Sequence, residues 1–149
     1  MAPLQFGVLM IPFQISDCAM PLDVLSSSSK LYLSGMEAVG GPAHVAPRGI
    51  DIEFHYIGAT MDPVVHTARF TSMPTTTCAD CPELDYLLVG GPDPAYLKTM
   101  PKIFIEFMQE RAKEVKTIFT TCTGGMYVSS RFISDNCRPC GIEPPAQFE

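Results

Sequence analysis

Short apolar runs alternate with amphipathic segments along most of this chain. Residues 4–11 are almost continuously apolar, are too few for a buried helix and end at Pro12, a pattern typical of a central parallel strand. Residues 50–58 alternate apolar and polar side chains, and residues 84–89 and 117–121 are further short runs rich in apolar or β-branched residues. We predict a strand in each of these four segments.

The segments between the predicted strands carry helical spacing. Pro21 stands where the first turn of a helix accepts proline, and apolar residues follow at helical intervals as far as Gly35. Residues 101–116 show the clearest amphipathic pattern, and residues 126–133 are predicted to be helical as well. Together with a short hairpin predicted within residues 64–73, this alternation predicts an α/β fold with three layers around a parallel sheet.

Composition narrows the class of protein. The chain has 149 residues, of which 46% are hydrophobic and 17% charged, so it fits one globular domain. Its formal net charge of -6 argues against a nucleic-acid partner. The apolar run of residues 6–13 is interrupted by Gly7 and Pro12 and has no basic flank, so we expect neither a signal peptide nor a membrane span, and a cytoplasmic location.

The candidate chemistry lies where the predicted strands end. In an open parallel sheet, reactive groups collect at the carboxyl ends of the strands. Asp17 follows the first predicted strand, Gly91 follows the strand at 84–89, and Cys122 follows the last strand and precedes a helix. A thiol at such a corner lies beside unpaired backbone N–H groups and the positive end of the helix, which favour the thiolate. Gly124 and the glycine after it permit close approach to this thiol.

Four stretches of the sequence carry a family resemblance. Residues 13–25 are similar to the pattern FQxLDxxGPxDVL, and residues 74–85 to PTTTFADCPxLD. Residues 121–124 are similar to a VCTG elbow, and residues 90–94 to an IPGPDP loop of fungal-type relatives. On these motifs the chain resembles the DJ-1/PfpI superfamily, which is similar to class I glutamine amidotransferases, and within it the isonitrile hydratase branch.

The resemblance implies a fold, a site and a reaction. The fold would be a three-layer α/β/α sandwich with a mainly parallel, flavodoxin-like sheet. Cys122 would be the nucleophile, Asp17 the acid/base, and the amides of Gly91 and Thr123 the oxyanion donors, with the Thr123 hydroxyl able to contact substrate. The reaction would hydrate a small-molecule isocyanide to an N-substituted formamide, without a metal or cofactor. Family members commonly form homodimers.

The sequence also departs from the family pattern. Met20 replaces a glycine near the expected pocket, and Gly90 replaces a proline. Similarity ends near Arg138, so we expect a domain at residues 1–138, an irregular tail at 139–149 and a C-terminally truncated fold. Apolar surface left uncovered would then favour self-association.

Three other features of the sequence have alternative interpretations. The three histidines precede Cys122 without a recognised dyad spacing, so no catalytic role is assigned to them. The CxxC pairs at 78–81 and 137–140 have zinc-ligand spacing, but the 55 residues between them argue against one shared ion. Two alternative functions remain. One is a noncatalytic or redox-responsive DJ-1-like protein in which Cys122 is oxidised to a sulfinic acid beside a carboxyl group, and the other is an inactive, truncated fragment of the fold that acts only through partner contacts.

Overall fold

A parallel sheet forms the centre of the molecule. The computed structural model describes residues 2–132, with side chains as far as residue 129. The strands in this part of the chain are β1 (Leu4–Leu9), β2 (Ile52–Gly58), β3 (Val64–Val65), β4 (Thr71–Ser72), β5 (Thr76–Thr77), β6 (Tyr86–Val89) and β7 (Thr117–Thr120). Five of them form one sheet in the order β5-β2-β1-β6-β7, in which every pair is parallel, while β3 and β4 form a separate antiparallel pair.

Helices follow the strands and connect them. They are α1 (Ile15–Ser27), α2 (Lys30–Ala38), α3 (Tyr96–Thr99), α4 (Lys102–Arg111) and α5 (Thr123–Phe132). Neighbouring parallel strands run in the same direction, so the chain must cross from the end of one strand back to the start of the next. Helices of this kind make that crossover. The predicted α/β fold, with a mainly parallel sheet and flanking helices, is therefore confirmed.

The core lies on β1 and the strands beside it. Val8 and Leu9 are fully buried on β1, Leu87 and Val89 are fully buried on β6, and Met108 is fully buried on α4. Side chains of this kind each contribute about 1.5–3 kcal/mol when they leave water. β1 pairs with β2 over six residues, from Leu4 opposite Ile52 to Leu9 opposite Ile57, which fixes the register of the strand that leads to Asp17.

Helix α1 differs from its prediction. It begins at Ile15, so Pro21 lies inside it and not in its first turn, and the prediction based on Pro21 was wrong. The predicted single helix to Gly35 is instead two helices. The break falls at Ser28 and Ser29, and the Ser29 side chain caps α2 by accepting a hydrogen bond of 3.1 Å from the Tyr32 N–H.

The other elements differ from prediction mainly at their ends. α5 begins three residues earlier than the predicted 126, which places its first turn directly against Cys122. The two-residue strand β5 was not predicted. The predicted domain end at residue 138, the tail 139–149 and the CxxC pair 137–140 lie outside the described residues. Within residues 2–132, no helix is both long and apolar enough to cross a bilayer.

Candidate active site

Cys122 occupies a strained corner between β7 and α5. Its backbone φ is +52°, in the left-handed region that residues with a Cβ rarely adopt, and its side chain is exposed. Such strain persists only where the surroundings fix the backbone. Here the N–H groups of Gly124 and Gly125 donate to the carbonyls of Thr121 and Cys122 at 3.0 and 3.2 Å, which closes the turn.

Glycine at position 91 allows the loop after β6 to touch this corner. A Cβ placed on Gly91 would lie 2.7 Å from Cys122 Cβ and 2.8 Å from the backbone nitrogen of Thr123. No side chain fits in that space. Gly91 therefore brings the loop after β6 into direct backbone contact with the corner that presents the thiol.

Asp17 reaches the same point from the first turn of α1. The Gly91 N–H donates a hydrogen bond of 3.0 Å to Asp17 Oδ2, and the Gln14 N–H donates one of 3.1 Å to the Gly91 carbonyl. Phe13 and Pro92 form an isolated antiparallel bridge beside these bonds. The loops that leave β1 and β6 are thus joined, and the carboxylate is fixed next to the Cys122 corner.

Thr123 completes the set of predicted residues. Its hydroxyl, expected to contact substrate, donates a hydrogen bond of 2.7 Å to the Pro92 carbonyl. Thr123 is also the first residue of α5, where backbone N–H groups have no partner within the helix. Asp17, Gly91, Cys122 and Thr123 are therefore brought together by direct contacts.

The Gly91 N–H has a different partner from the one expected for an oxyanion donor. It is directed at the Asp17 carboxylate. Its role toward a developing oxyanion stays a prediction, since that role requires the carboxylate to release this N–H. The Thr123 N–H, on the other side of Cys122, stays a predicted donor as well.

Cys18 is a second thiol near Asp17 that the sequence analysis did not single out. It is 1% exposed, and a Cβ on Gly90 would lie 2.7 Å from its sulfur. Burial, followed by the charge of Asp17, raises the pKa of Cys18 to about 12, although a backbone hydrogen bond from Gly90 opposes the shift. Cys18 is therefore a protonated core thiol at neutral pH. Cys18 differs from Cys122 in being buried. The sequence did not reveal this burial, because it depends on Cys18 lying within α1, which begins at Ile15.

An apolar groove of about 460 Å³ lies between α1 and β7. Met20 and Val24 line it from the helix, Phe119 lines it from the strand, and Thr121 lines it from the residue after the strand. Thr121 directly precedes Cys122, so the groove extends to the elbow. Met20, the departure from the family pattern, lines this groove and is 68% exposed.

Other histidine and cysteine side chains that could bind a metal lie outside the candidate active site. His66 is buried against Phe13, and His55 Nε2 lies 2.5 Å from Gln5 Oε1 on the sheet. Cys78 and Cys81 are buried after β5, where burial, followed by the charge of Cys81, raises the pKa of Cys78 to about 12. Among the described residues, no three His, Cys, Asp or Glu side chains form a group able to hold a metal ion.

Comparisons with known proteins point to one fold. No family model matches the chain. It is 25% identical over 128 residues to an isonitrile hydratase from Pseudomonas putida, a match that covers 85% of this chain and 47% of that protein. The chain thus spans about half the length of this curated relative.

Solved structures give the same result. A ThiJ/PfpI family protein from Pseudomonas syringae superposes with a TM-score of 0.67 at 20% identity, over 88% of this chain and 47% of that one. A DJ-1 superfamily protein from Agrobacterium tumefaciens gives a TM-score of 0.59 at 10% identity, over 87% of this chain and 59% of that one. The chain therefore has the fold of the DJ-1/PfpI superfamily, as its sequence motifs indicate.

Proposed function

We propose that this chain carries the nucleophile and the acid/base of a cysteine-dependent hydratase, which converts a small isocyanide into an N-substituted formamide. The observation that supports it best is the single contact chain in which Gly91 binds Asp17 Oδ2 at 3.0 Å and packs on Cys122. The reaction needs a nucleophile and an acid/base close together, and Gly91 contacts both residues here. The match to an isonitrile hydratase supports the same reaction.

The proposed reaction begins at the sulfur. The Cys122 thiolate adds to the isocyanide carbon, and Asp17 delivers a proton to that carbon, which gives a thioimidate with a new S–C bond. Because Gly91 holds Oδ2, we assign the proton transfer to Oδ1 of the same carboxyl group.

Water completes the cycle. Water adds to the thioimidate carbon and one of its protons passes to the nitrogen. The hydroxyl proton of this adduct then returns to Asp17 as the C–S bond breaks, which releases the formamide, the thiolate and a protonated acid for the next cycle. We assign to the backbone N–H of Thr123, at the start of α5, the stabilisation of negative charge that develops in this step. The net reaction adds one water to the isocyanide, so no redox partner or cofactor is needed. We also propose a cytoplasmic location, where a reducing environment keeps such a thiol free.

Turnover of a small alkyl or aryl isocyanide, followed by the formyl proton of the product, tests the proposal. We expect Cys122→Ala and Asp17→Asn each to lower the rate at least about 100-fold, the scale of losing a positioned nucleophile or acid/base. Asp23→Asn is the matched control, because Asp23 lies on the same helix and is exposed.

Two outcomes would contradict the hydratase. If Asp17→Asn turns over like the wild type, the carboxyl group has no part in the reaction. If the folded wild type shows no turnover with any isocyanide, while peroxide converts Cys122 to a sulfinic acid, the redox-responsive alternative is favoured.

A further inference from the structure

The first turn of α1, which carries Asp17, lacks two of the restraints that usually hold a helix start. The N-cap residue is Gln14, whose side chain makes no capping hydrogen bond. Pro21 lies four residues after Asp17 and has no N–H, so the Asp17 carbonyl receives no helical hydrogen bond from that position. The helix alone therefore does not fix the orientation of Asp17.

Thr67 supplies the missing restraint from another part of the chain. Its hydroxyl oxygen accepts a hydrogen bond of 3.2 Å from the Ile15 N–H, the first amide of α1. Its own N–H donates a bond of 3.3 Å to the Phe13 carbonyl. Thr67 thus caps the first amide of α1 from a position 52 residues away, in place of the Gln14 side chain.

Thr67 is itself held firmly in the segment between β3 and β4. The next two residues, Ala68 and Arg69, have φ values of +53° and +59°, which produce a tight reversal. On the other side, His66 is buried with its ring centroid 4.0 Å from that of Phe13, and its Nε2 lies 2.6 Å from Ser72 Oγ. The backbone of Thr67 is therefore held next to Ile15, and its exposed side chain reaches the Ile15 amide from there.

The segment before α1 is consequently clamped on two sides. Gly91 binds Gln14 N–H through its carbonyl and Asp17 through its N–H, while Thr67 binds Phe13 and Ile15. We propose that Thr67 is a positioning residue, which sets the orientation of the Asp17 carboxyl group relative to Cys122 by capping α1 from outside the helix. The expected effect on kcat rests on the proposed function. The expected effect on the orientation of Asp17 rests on the geometry alone.

Thr67→Val tests the proposal, because valine keeps the shape of threonine but cannot accept the hydrogen bond. We expect kcat to fall about 10-fold to 100-fold with little change in KM, the scale of misplacing a catalytic group by up to about 1 Å. Thr67→Ser, which restores the acceptor, should recover most of the lost kcat. Thr71→Val is the matched control, since it removes an exposed hydroxyl from β4 of the same segment.

A second readout does not depend on turnover. The amide proton of Gly91 resonates downfield while it is bound to the Asp17 carboxylate, so its NMR shift reports where that carboxylate lies. We expect Thr67→Val to move this resonance upfield in the direction that Asp17→Asn moves it, while Thr67→Ser and Thr71→Val leave it in place.

The two readouts separate this inference from the proposed function. If the Gly91 resonance and kcat are both unchanged in a folded Thr67→Val protein, Thr67 does not position Asp17 and the inference is wrong. If the resonance moves as expected but the wild type turns over no isocyanide, the positioning role stands and the hydratase assignment fails.

Discussion

At the residue scale, exposure separates Cys122 from the other described cysteines. Cys18, Cys78 and Cys81 are buried, and desolvation raises the pKa of each of these three thiols. For Cys18 and Cys78 the pKa reaches about 12, so their thiolates are scarce below that pH. Cys122 is exposed and directly precedes α5.

This difference predicts selective alkylation. Substoichiometric iodoacetamide at neutral pH should label Cys122 before Cys18, Cys78 and Cys81, as measured by peptide mass mapping. The same reagent in denaturant is the control, because unfolding removes the burial and should bring the four rates together. Labelling of Cys18 or Cys78 ahead of Cys122 in the folded protein would show that the elbow does not activate its thiol.

At the scale of elements, the approach of α5 to the end of β6 depends on one glycine. A Cβ on Gly124 would lie 2.6 Å from the Val89 carbonyl oxygen and 2.8 Å from that of Gly90, and backbone atoms cannot move aside as a flexible side chain can. A Cβ on Gly125 would meet only Thr120, at 3.3 Å from its Oγ1. The space available for a Cβ therefore differs sharply between positions 124 and 125 of α5.

The two alanine substitutions should therefore have different effects on the free energy of unfolding. Gly124→Ala is expected to lower the free energy of unfolding by about 1–3 kcal/mol through overpacking. Gly125→Ala should leave it unchanged or raise it by up to about 1 kcal/mol, because alanine favours the helix and the exposed Thr120 side chain, 3.3 Å from the added Cβ, can rotate away. Denaturant titration of both variants measures the difference, and equal destabilisation by the two would contradict the packing described for α5.

The elements that could be predicted from the sequence are those defined by their own residues. The predicted ends of four strands lie within two residues of the observed ends, because short apolar runs bounded by turn residues are local signals. These strands are β1, β2, β6 and β7. The start of α1 could not be predicted. Its cap is Thr67, and no local pattern around Gln14 marks a helix start. β5 is two residues long and exists through its pairing with Ile57 and Gly58.

In the candidate site, too, the sequence predicts individual residues but not the long-range contacts between them. Cys122 and Asp17 were identified from motifs, and their elements bring them to one edge of the sheet. The hydrogen bond from Gly91 to Asp17 was not predicted, since it joins residues 74 positions apart. The same holds for Thr67, whose side chain acts on a helix 52 residues earlier in the chain.

At the scale of the whole molecule, apolar side chains around the groove between α1 and β7 face solvent. Met20, Val24 and Phe119 are 68%, 65% and 46% exposed, and within the described residues β7 pairs with a neighbour on one side. An apolar patch beside an open strand edge favours association between chains.

We therefore predict that the chain self-associates in solution. Light scattering on freshly purified protein should give a mass above that of one chain, and Val24→Lys should shift it toward the monomer by placing a charge in the groove. Leu31→Lys is the matched control, because Leu31 is 86% exposed on α2 and does not line the groove. A monodisperse monomer, or equal responses to both lysines, would contradict association through this groove.

The central position of β1 has a consequence for how the protein opens. β1 is paired on both sides and its residues from Phe6 onward are buried, whereas β7 has only β6 beside it in the described part of the chain. Deuterium should therefore enter the amides of β7 through local fraying and those of β1 only when the whole sheet comes apart. Cys122 comes two residues after β7, and Asp17 lies in the helix that follows β1. We therefore expect opening of β7 to change the distance between the thiol and the carboxyl group before the centre of the sheet opens.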